Sequence, residues 1–219
     1  MPFPERRDAQ AGSKPRLAPP WALVVVVAAF SAGMVITILV WHSVRPDPFD
    51  AWVMRGQEAG AAYARRSGRI VSSAVAPGVI GAMLASTALA WRVGRWDAII
   101  LALIAVPGAL GVEIVLKQLV HRQRPGGPDL VYPSGHLAVA SAACLTLVLV
   151  LRVTTAPSRT RVAVVSLVVG AVLVIAAARL VETVHFLTDV LGGAATGIVV
   201  TVGAALAITA LAAASQAGH

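Results

Sequence analysis

Three short polar segments interrupt an otherwise apolar sequence. Between them they hold three of the five histidines, together with cations and carboxylates suited to acid–base and phosphate chemistry. The first is Lys117-Gln-Leu-Val-His-Arg-Gln-Arg124-Pro125 and the second is Tyr132-Pro133-Ser134-Gly135-His136. The third is Arg179-Leu-Val-Glu-Thr-Val-His185-Phe-Leu-Thr-Asp189. Lys117 and Arg124 stand seven residues apart, two helical turns, and share a face if that stretch is helical. His185 and Asp189 stand four apart, one turn, which lets the carboxylate fix the tautomer and orientation of the imidazole. Arg179 and His185 are six apart and do not share a helical face, so their convergence requires a break between them. Pro133-Ser134-Gly135 reads as a helix start with Ser134 as N-cap. Such a terminus favours a bound anion.

The inventory is three permanent cations, one helix N-terminus, two histidines and a carboxylate. Cations and backbone N–H groups suit a phosphoryl group, whose charge is spread over its equatorial oxygens. A histidine backed by a carboxylate makes a nucleophile, and a second histidine can protonate the leaving oxygen. No cluster of carboxylates points to a divalent metal, and the expectation is a site without metal or cofactor. Glu113 lies a turn before Lys117 and Glu182 lies three residues after Arg179, so each can form an ion pair with its neighbour. Arg122 reads as a headgroup-facing side chain with its stem along apolar surface. His42 and His121 read as loop histidines.

The elements that position these segments follow from composition. The chain has 219 residues, 58% hydrophobic and 13% charged, with a mean hydropathy of +0.80. Soluble domains carry about 25% charged residues. Apolar runs long enough for helices to cross about 30 Å of hydrocarbon recur along the chain. They predict an all-α, polytopic membrane protein, a six-transmembrane helical bundle with spans near 21–41, 70–91, 98–117, 135–151, 162–178 and 189–213. A short interfacial helix between spans 1 and 2 is suggested by the stripe Trp52, Met54, Ala59 and Tyr63. Residues 1–20 read as a flexible cytoplasmic arm, 21–213 as the six-span domain and 214–219 as a short tail. With six spans, all three polar segments meet at one face.

The net charge of +8 and pI near 11.2 do not indicate nucleic acid, because the charges sit in short patches between spans. Contact with anionic membrane lipids is the simpler partner reading. The single cysteine, Cys144, excludes an intrachain disulfide and reads as a packing residue. Gly193-Ala-Ala-Thr-Gly197 is a small-residue motif that seats neighbouring spans, and it leaves a homo-oligomer open. Lys and Arg divide nine against nine between the two faces. The count becomes nine against six, favouring a cytoplasmic N-terminus, once Lys117, Arg124 and Arg179 are assigned to phosphate.

Lys-x6-Arg-Pro, Pro-Ser-Gly-His and Arg-x5-His-x3-Asp, in this order and spacing, resemble the type 2 phosphatidic acid phosphatase family of lipid phosphate phosphatases. That family shares its site with vanadium-dependent haloperoxidases. The resemblance covers about residues 21–213. It implies a metal-independent hydrolase in which His185 attacks phosphorus to form a phosphohistidine and Asp189 orients it. His136 would act as general acid on the leaving alkoxide and then activate water. Lys117, Arg124, Arg179, Ser134 and the Gly135 N–H would bind phosphate oxygens. The third motif commonly begins Ser-Arg; here it is Ala178-Arg179, which removes one hydroxyl. The implied substrate is a lipid phosphate or diphosphate such as phosphatidate, phosphatidylglycerophosphate or a polyprenyl (di)phosphate. The site would face the periplasmic or extracellular side of the cell membrane. A lipid-phosphate phosphotransferase, or a non-catalytic headgroup-binding or transport protein, are the competing readings.

Overall fold

With no water in hydrocarbon to satisfy backbone groups, an apolar chain of this kind must pair each N–H and C=O within its own helix. The computed structural model follows that rule. It describes residues 16–41, 48, 50–52, 61–123 and 129–217, with 61–64 as backbone alone. Its helices are α1 (Ala22–Val40), α2 (Ala61–Ser73), α3 (Val75–Arg92), α4 (Trp96–Val120), α5 (Gly135–Arg152), α6 (Ser158–Val181) and α7 (Leu187–Ala217). The described residues hold no strand beyond an isolated bridge between Gln123 and Leu130.

Among the described residues, six stretches are long and apolar enough to cross a membrane: Ala22–Val40, Arg65–Arg92, Trp96–Val120, Gly135–Arg152, Ser158–Val181 and Leu187–Ala217. The chain is an all-α, six-span membrane protein. The second span starts at Arg65 rather than at residue 70, because α2 runs into α3 across one non-helical residue, Ala74. Of the expected interfacial helix, residues 50–52 are helical, while Met54, Ala59 and the Tyr63 side chain lie outside the described residues. Within the stretch read as an N-terminal arm, Leu17 and Ala18 are buried, and the Ala18 N–H donates to Thr209 Oγ1 at 3.2 Å. Helix α7 continues through Ala217, taking in residues expected in a tail.

Helix α5 is the centre of the bundle. It packs against α3, α4, α6 and α7, while α1 lies on α7 and α2 on α6. Large apolar side chains such as Val24, Ile38, Leu167 and Leu173 point outward, as lipid-facing residues do. Since lipid tails are as apolar as leucine, close packing rather than water exclusion must hold such helices together, and small residues permit it. A Cβ on Gly197 would lie 2.5 Å from the Ala138 carbonyl oxygen, and one on Gly193 would collide with the Ser134 carbonyl. The Gly-x3-Gly face of α7 therefore seats the first two turns of α5. Next to it, the Ser134 N–H donates to the Asp189 carbonyl at 2.9 Å, locking the starts of α5 and α7 together.

At the opposite end, Trp91 and Trp96 meet edge to face with ring centroids 5.5 Å apart, and Arg152 lies over Trp21 at 5.4 Å. Aromatic and basic residues gather there as they do at a membrane–water interface.

Gly193→Val should destabilise the protein by about 1–3 kcal/mol, the usual cost of overpacking, because the obstructing atom is backbone. Gly203→Ala, where a Cβ meets nothing within 4 Å, should stay within about 0.5 kcal/mol of the parent. Thermal unfolding of the two variants in one detergent checks the contrast.

Candidate active site

Helix α4 ends because His121 takes the left-handed conformation (φ 51°), with its N–H donating to the Lys117 carbonyl at 3.1 Å. The chain then folds back, and the Val131 N–H donates to the Arg122 carbonyl at 3.0 Å. This overturns the expectation of one helical face shared by Lys117 and Arg124, since the helix stops before residue 121. Arg124 itself lies outside the described residues.

Arg122 is the larger correction. It was expected at the headgroups, yet its side chain is 0% exposed. Its Nη1 donates to Asp189 Oδ1 at 2.7 Å and to Thr188 Oγ1, and its Nη2 donates to Asp50 Oδ2 at 2.7 Å. The guanidinium stacks over the Phe186 ring at 4.2 Å. Asp50 in turn accepts the Thr188 N–H at 3.1 Å and the Thr188 hydroxyl at 2.6 Å. Asp189 Oδ2 accepts the Phe186 N–H at 2.9 Å. Two carboxylates thus satisfy N–H groups at the start of α7, and one arginine holds both of them. No spacing rule links positions 50, 122 and 189; only the tertiary fold does.

His185 sits on the turn between α6 and α7, where Thr183 takes a left-handed conformation (φ 55°). That turn is the break required between Arg179 and His185. Nδ1 of His185 faces Asp189 Oδ2 at 3.6 Å, longer than a hydrogen bond but within charge contact. Burial lowers the His185 pKa below its ordinary 6.5, while the Asp189 carboxylate pulls the opposite way. Neutral imidazole therefore dominates at neutral pH.

The other candidates converge on one cavity of about 520 Å³, lined among others by Lys117, Gly135, His136, Arg179 and His185. Ser134 stands at its edge as the N-cap of α5. Its hydroxyl makes no cap bond, is fully buried and has no hydrogen-bond partner among the described groups. Both suggested ion pairs form: Lys117 Nζ lies 2.6 Å from Glu113 Oε1, and Arg179 Nη1 lies 2.6 Å from Glu182 Oε2. On α2, Ser72 Oγ accepts from Arg179 Nη1 at 3.1 Å. Ala178 is itself packed against α2, since a Cβ on Gly68 would lie 3.0 Å from its carbonyl. Among the described residues, no three His, Cys, Asp or Glu side chains gather as metal ligands.

The family model of the PAP2 superfamily matches residues 21–212, and the chain belongs to that family. It is similar in fold to a transmembrane PAP2-type phosphatidylglycerolphosphate phosphatase from Bacillus subtilis. The TM-score is 0.65 and the identity 18%, covering 82% of this chain and 94% of that one. No curated protein sequence matches the chain. Family and fold together support a phosphatase working within the membrane.

Removing Arg122 leaves two carboxylates buried without their cation, a change that typically costs 3–5 kcal/mol. Arg122→Ala should therefore unfold at markedly lower temperature or fail to accumulate. Asp50→Asn, which weakens a charge-assisted bond but keeps its shape, should lose about 1.5–3 kcal/mol. Equal stability of Arg122→Ala and the parent in a detergent melt would contradict the arrangement.

Proposed function

We propose that the protein is a lipid phosphate phosphatase that works through a phosphohistidine. The observation that carries this reading is the single cavity in which Lys117, His136, Arg179 and His185 meet, with Asp189 directly behind His185. His185 attacks phosphorus through Nε2, the nitrogen away from Asp189, and the bond from phosphorus to the lipid oxygen breaks. Asp189 stabilises the cationic ring. His136, in the first turn of α5, gives its proton to the departing alkoxide. It then takes a proton from the water that attacks the phosphohistidine, and inorganic phosphate leaves. Lys117, Arg124 and Arg179, with the Ser134 hydroxyl and Gly135 N–H, carry the charge of the equatorial oxygens, so the reaction proceeds without a metal.

The site end of the bundle faces the periplasmic or extracellular side of the cell membrane in this reading. Arg122 belongs to a buried network and does not act as a loop charge. The nine-to-six division of Lys and Arg then becomes nine to five, strengthening the case for a cytoplasmic N-terminus. In a Cys144→Ala background, an impermeant maleimide should label Ser13→Cys only after permeabilisation. Labelling of intact cells would reverse the orientation.

Purified protein should release phosphate from at least one of phosphatidate, phosphatidylglycerophosphate and a polyprenyl diphosphate, at the same rate with chelator present. His185→Ala should abolish release while remaining folded. Phosphate bound but never released would favour the headgroup-binding reading, and a rate that depends on an alcohol acceptor would favour the phosphotransferase.

The pH profile follows from the direction of the His185 shift. Its nucleophilic form is neutral and its pKa is lowered, so the acid limb of kcat/KM should lie below pH 6.5. Asp189→Asn removes the group that raises this pKa and should push the limb lower still, besides slowing the reaction. A limb that moves upward in Asp189→Asn would assign the titration to another group.

A further inference from the structure

The two described cations of the cavity do not wait with open charge. Lys117 is paired with Glu113, itself 3% exposed, and Arg179 with Glu182, each at 2.6 Å. Both acids have built seats. Glu113 Oε1 faces the start of α5, where a Cβ on Gly135 would lie 2.8 Å away. Glu182 Oε1 accepts the Ser72 hydroxyl at 2.7 Å, and a Cβ on Gly68 would lie 2.9 Å from Glu182 Cγ. Helix α2 thus grips Glu182 through both a side chain and a glycine-sized gap. Neither glutamate has a place in the bond-breaking steps above.

We infer that Glu113 and Glu182 are resident anions of this site, positioning residues that aim its cations and limit how tightly phosphate is held. The inference rests on the reading of this cavity as a phosphate site. A phosphate oxygen reaching Lys117 Nζ or Arg179 Nη1 binds a cation that already carries a carboxylate at 2.6 Å. The new charge-assisted bond is strong, but like charge is brought close beside it, and such juxtaposition is costly. The carboxylates hold each cation in reach before phosphate arrives and favour its departure once the lipid has left. Inorganic phosphate has no lipid tail in the bilayer to offset this repulsion and is held by these contacts alone.

The test titrates inorganic phosphate into the full-length protein by calorimetry, for the parent, Glu182→Gln and Glu113→Gln. Either substitution keeps the side-chain shape and removes the competing charge. Phosphate should bind about tenfold more tightly, the scale of one charge-assisted bond. Product inhibition should tighten equally, with KM and kcat on a lipid phosphate falling together as release slows. Unchanged or weaker phosphate binding in both variants, or no binding by any of the three proteins, would overturn the inference and leave the glutamates as purely structural ion pairs. Should Glu182→Gln fail to fold, Glu182→Asp retains the charge at shorter reach. It should tighten phosphate by a smaller factor, and weaker binding there would count against the inference as well. Calorimetry needs no turnover, which separates the two readings. Tighter phosphate without hydrolysis of any lipid phosphate would sink the phosphatase alone; hydrolysis with unchanged affinity would sink this inference alone.

Discussion

A guanidinium with no exposed surface must have its charge balanced and its N–H groups occupied, or the fold that buries it loses several kcal/mol. Arg122 balances its charge with carboxylates brought from two distant parts of the chain, Asp50 and Asp189, and bonds through both Nη atoms to them and to the Thr188 hydroxyl. Its Nε has no hydrogen-bond partner among the described residues, and the guanidinium lies on the face of Phe186. The arrangement is reciprocal. Without Arg122, the Asp50 and Asp189 carboxylates would stand side by side at the start of α7 with no cation between them. The connection after α1, the fold-back after α4 and the first turn of α7 therefore settle as one unit. Asp189, the carboxylate that faces His185, belongs to that unit, so the stability of this corner and the orientation of His185 have one physical origin.

The glycines of α7 extend the constraint along the bundle. Gly192, Gly193 and Gly197 allow Tyr132, Ser134 and Ala138 to approach the helix more closely than any side chain would permit. That approach puts the Ser134 N–H on the Asp189 carbonyl and so fixes the start of α5 against the start of α7. His136 rides on the first turn of α5 and His185 just ahead of α7. Their placement is a matter of two helix starts joined at the backbone, a stiffer connection than any loop could give. Tyr132 completes the corner. Its hydroxyl shares a 2.7 Å hydrogen bond with Thr37, and burial raises its pKa, so it remains a neutral phenol bonded to α1.

The bundle was legible in the sequence because bilayer thickness imposes a length that apolar runs reveal directly. Spans were misplaced only at their ends, where helices run past the hydrocarbon into polar sequence, as α2 does before residue 70 and α4 does through Val120. Within the candidate site, the neighbourhood of Lys117, His136, Arg179, His185 and Asp189 was readable because their spacing is local: pairs a turn apart, a helix start, a break between two spans. Glu113 and Glu182 were visible as partners for the same reason. Arg122 and Asp50 were not. Arg122 follows a residue in a left-handed turn, which redirects the chain in a way no periodicity records, and its carboxylates lie 72 and 67 positions away. Nothing in the local sequence marks Arg122 for burial; it is selected by acceptors that exist only after folding.

A phosphate-binding site at a membrane face has a problem that a water-filled cleft does not. Water screens an unoccupied cationic cluster in a cleft, whereas low-dielectric surroundings make the same cluster repel itself and draw in any anion. Pairing Lys117 with Glu113 and Arg179 with Glu182 removes this difficulty without removing the cations. The exchange of one anionic partner for another then costs far less than neutralising a bare charge would. Under the proposed function, anchoring and phosphate binding then use different cations. Arg122 is held by Asp50 and Asp189 and shapes the corner, while Lys117 and Arg179 sit at the cavity wall paired with Glu113 and Glu182. Both kinds of cation look identical in composition, and burial is what sorts them into their roles.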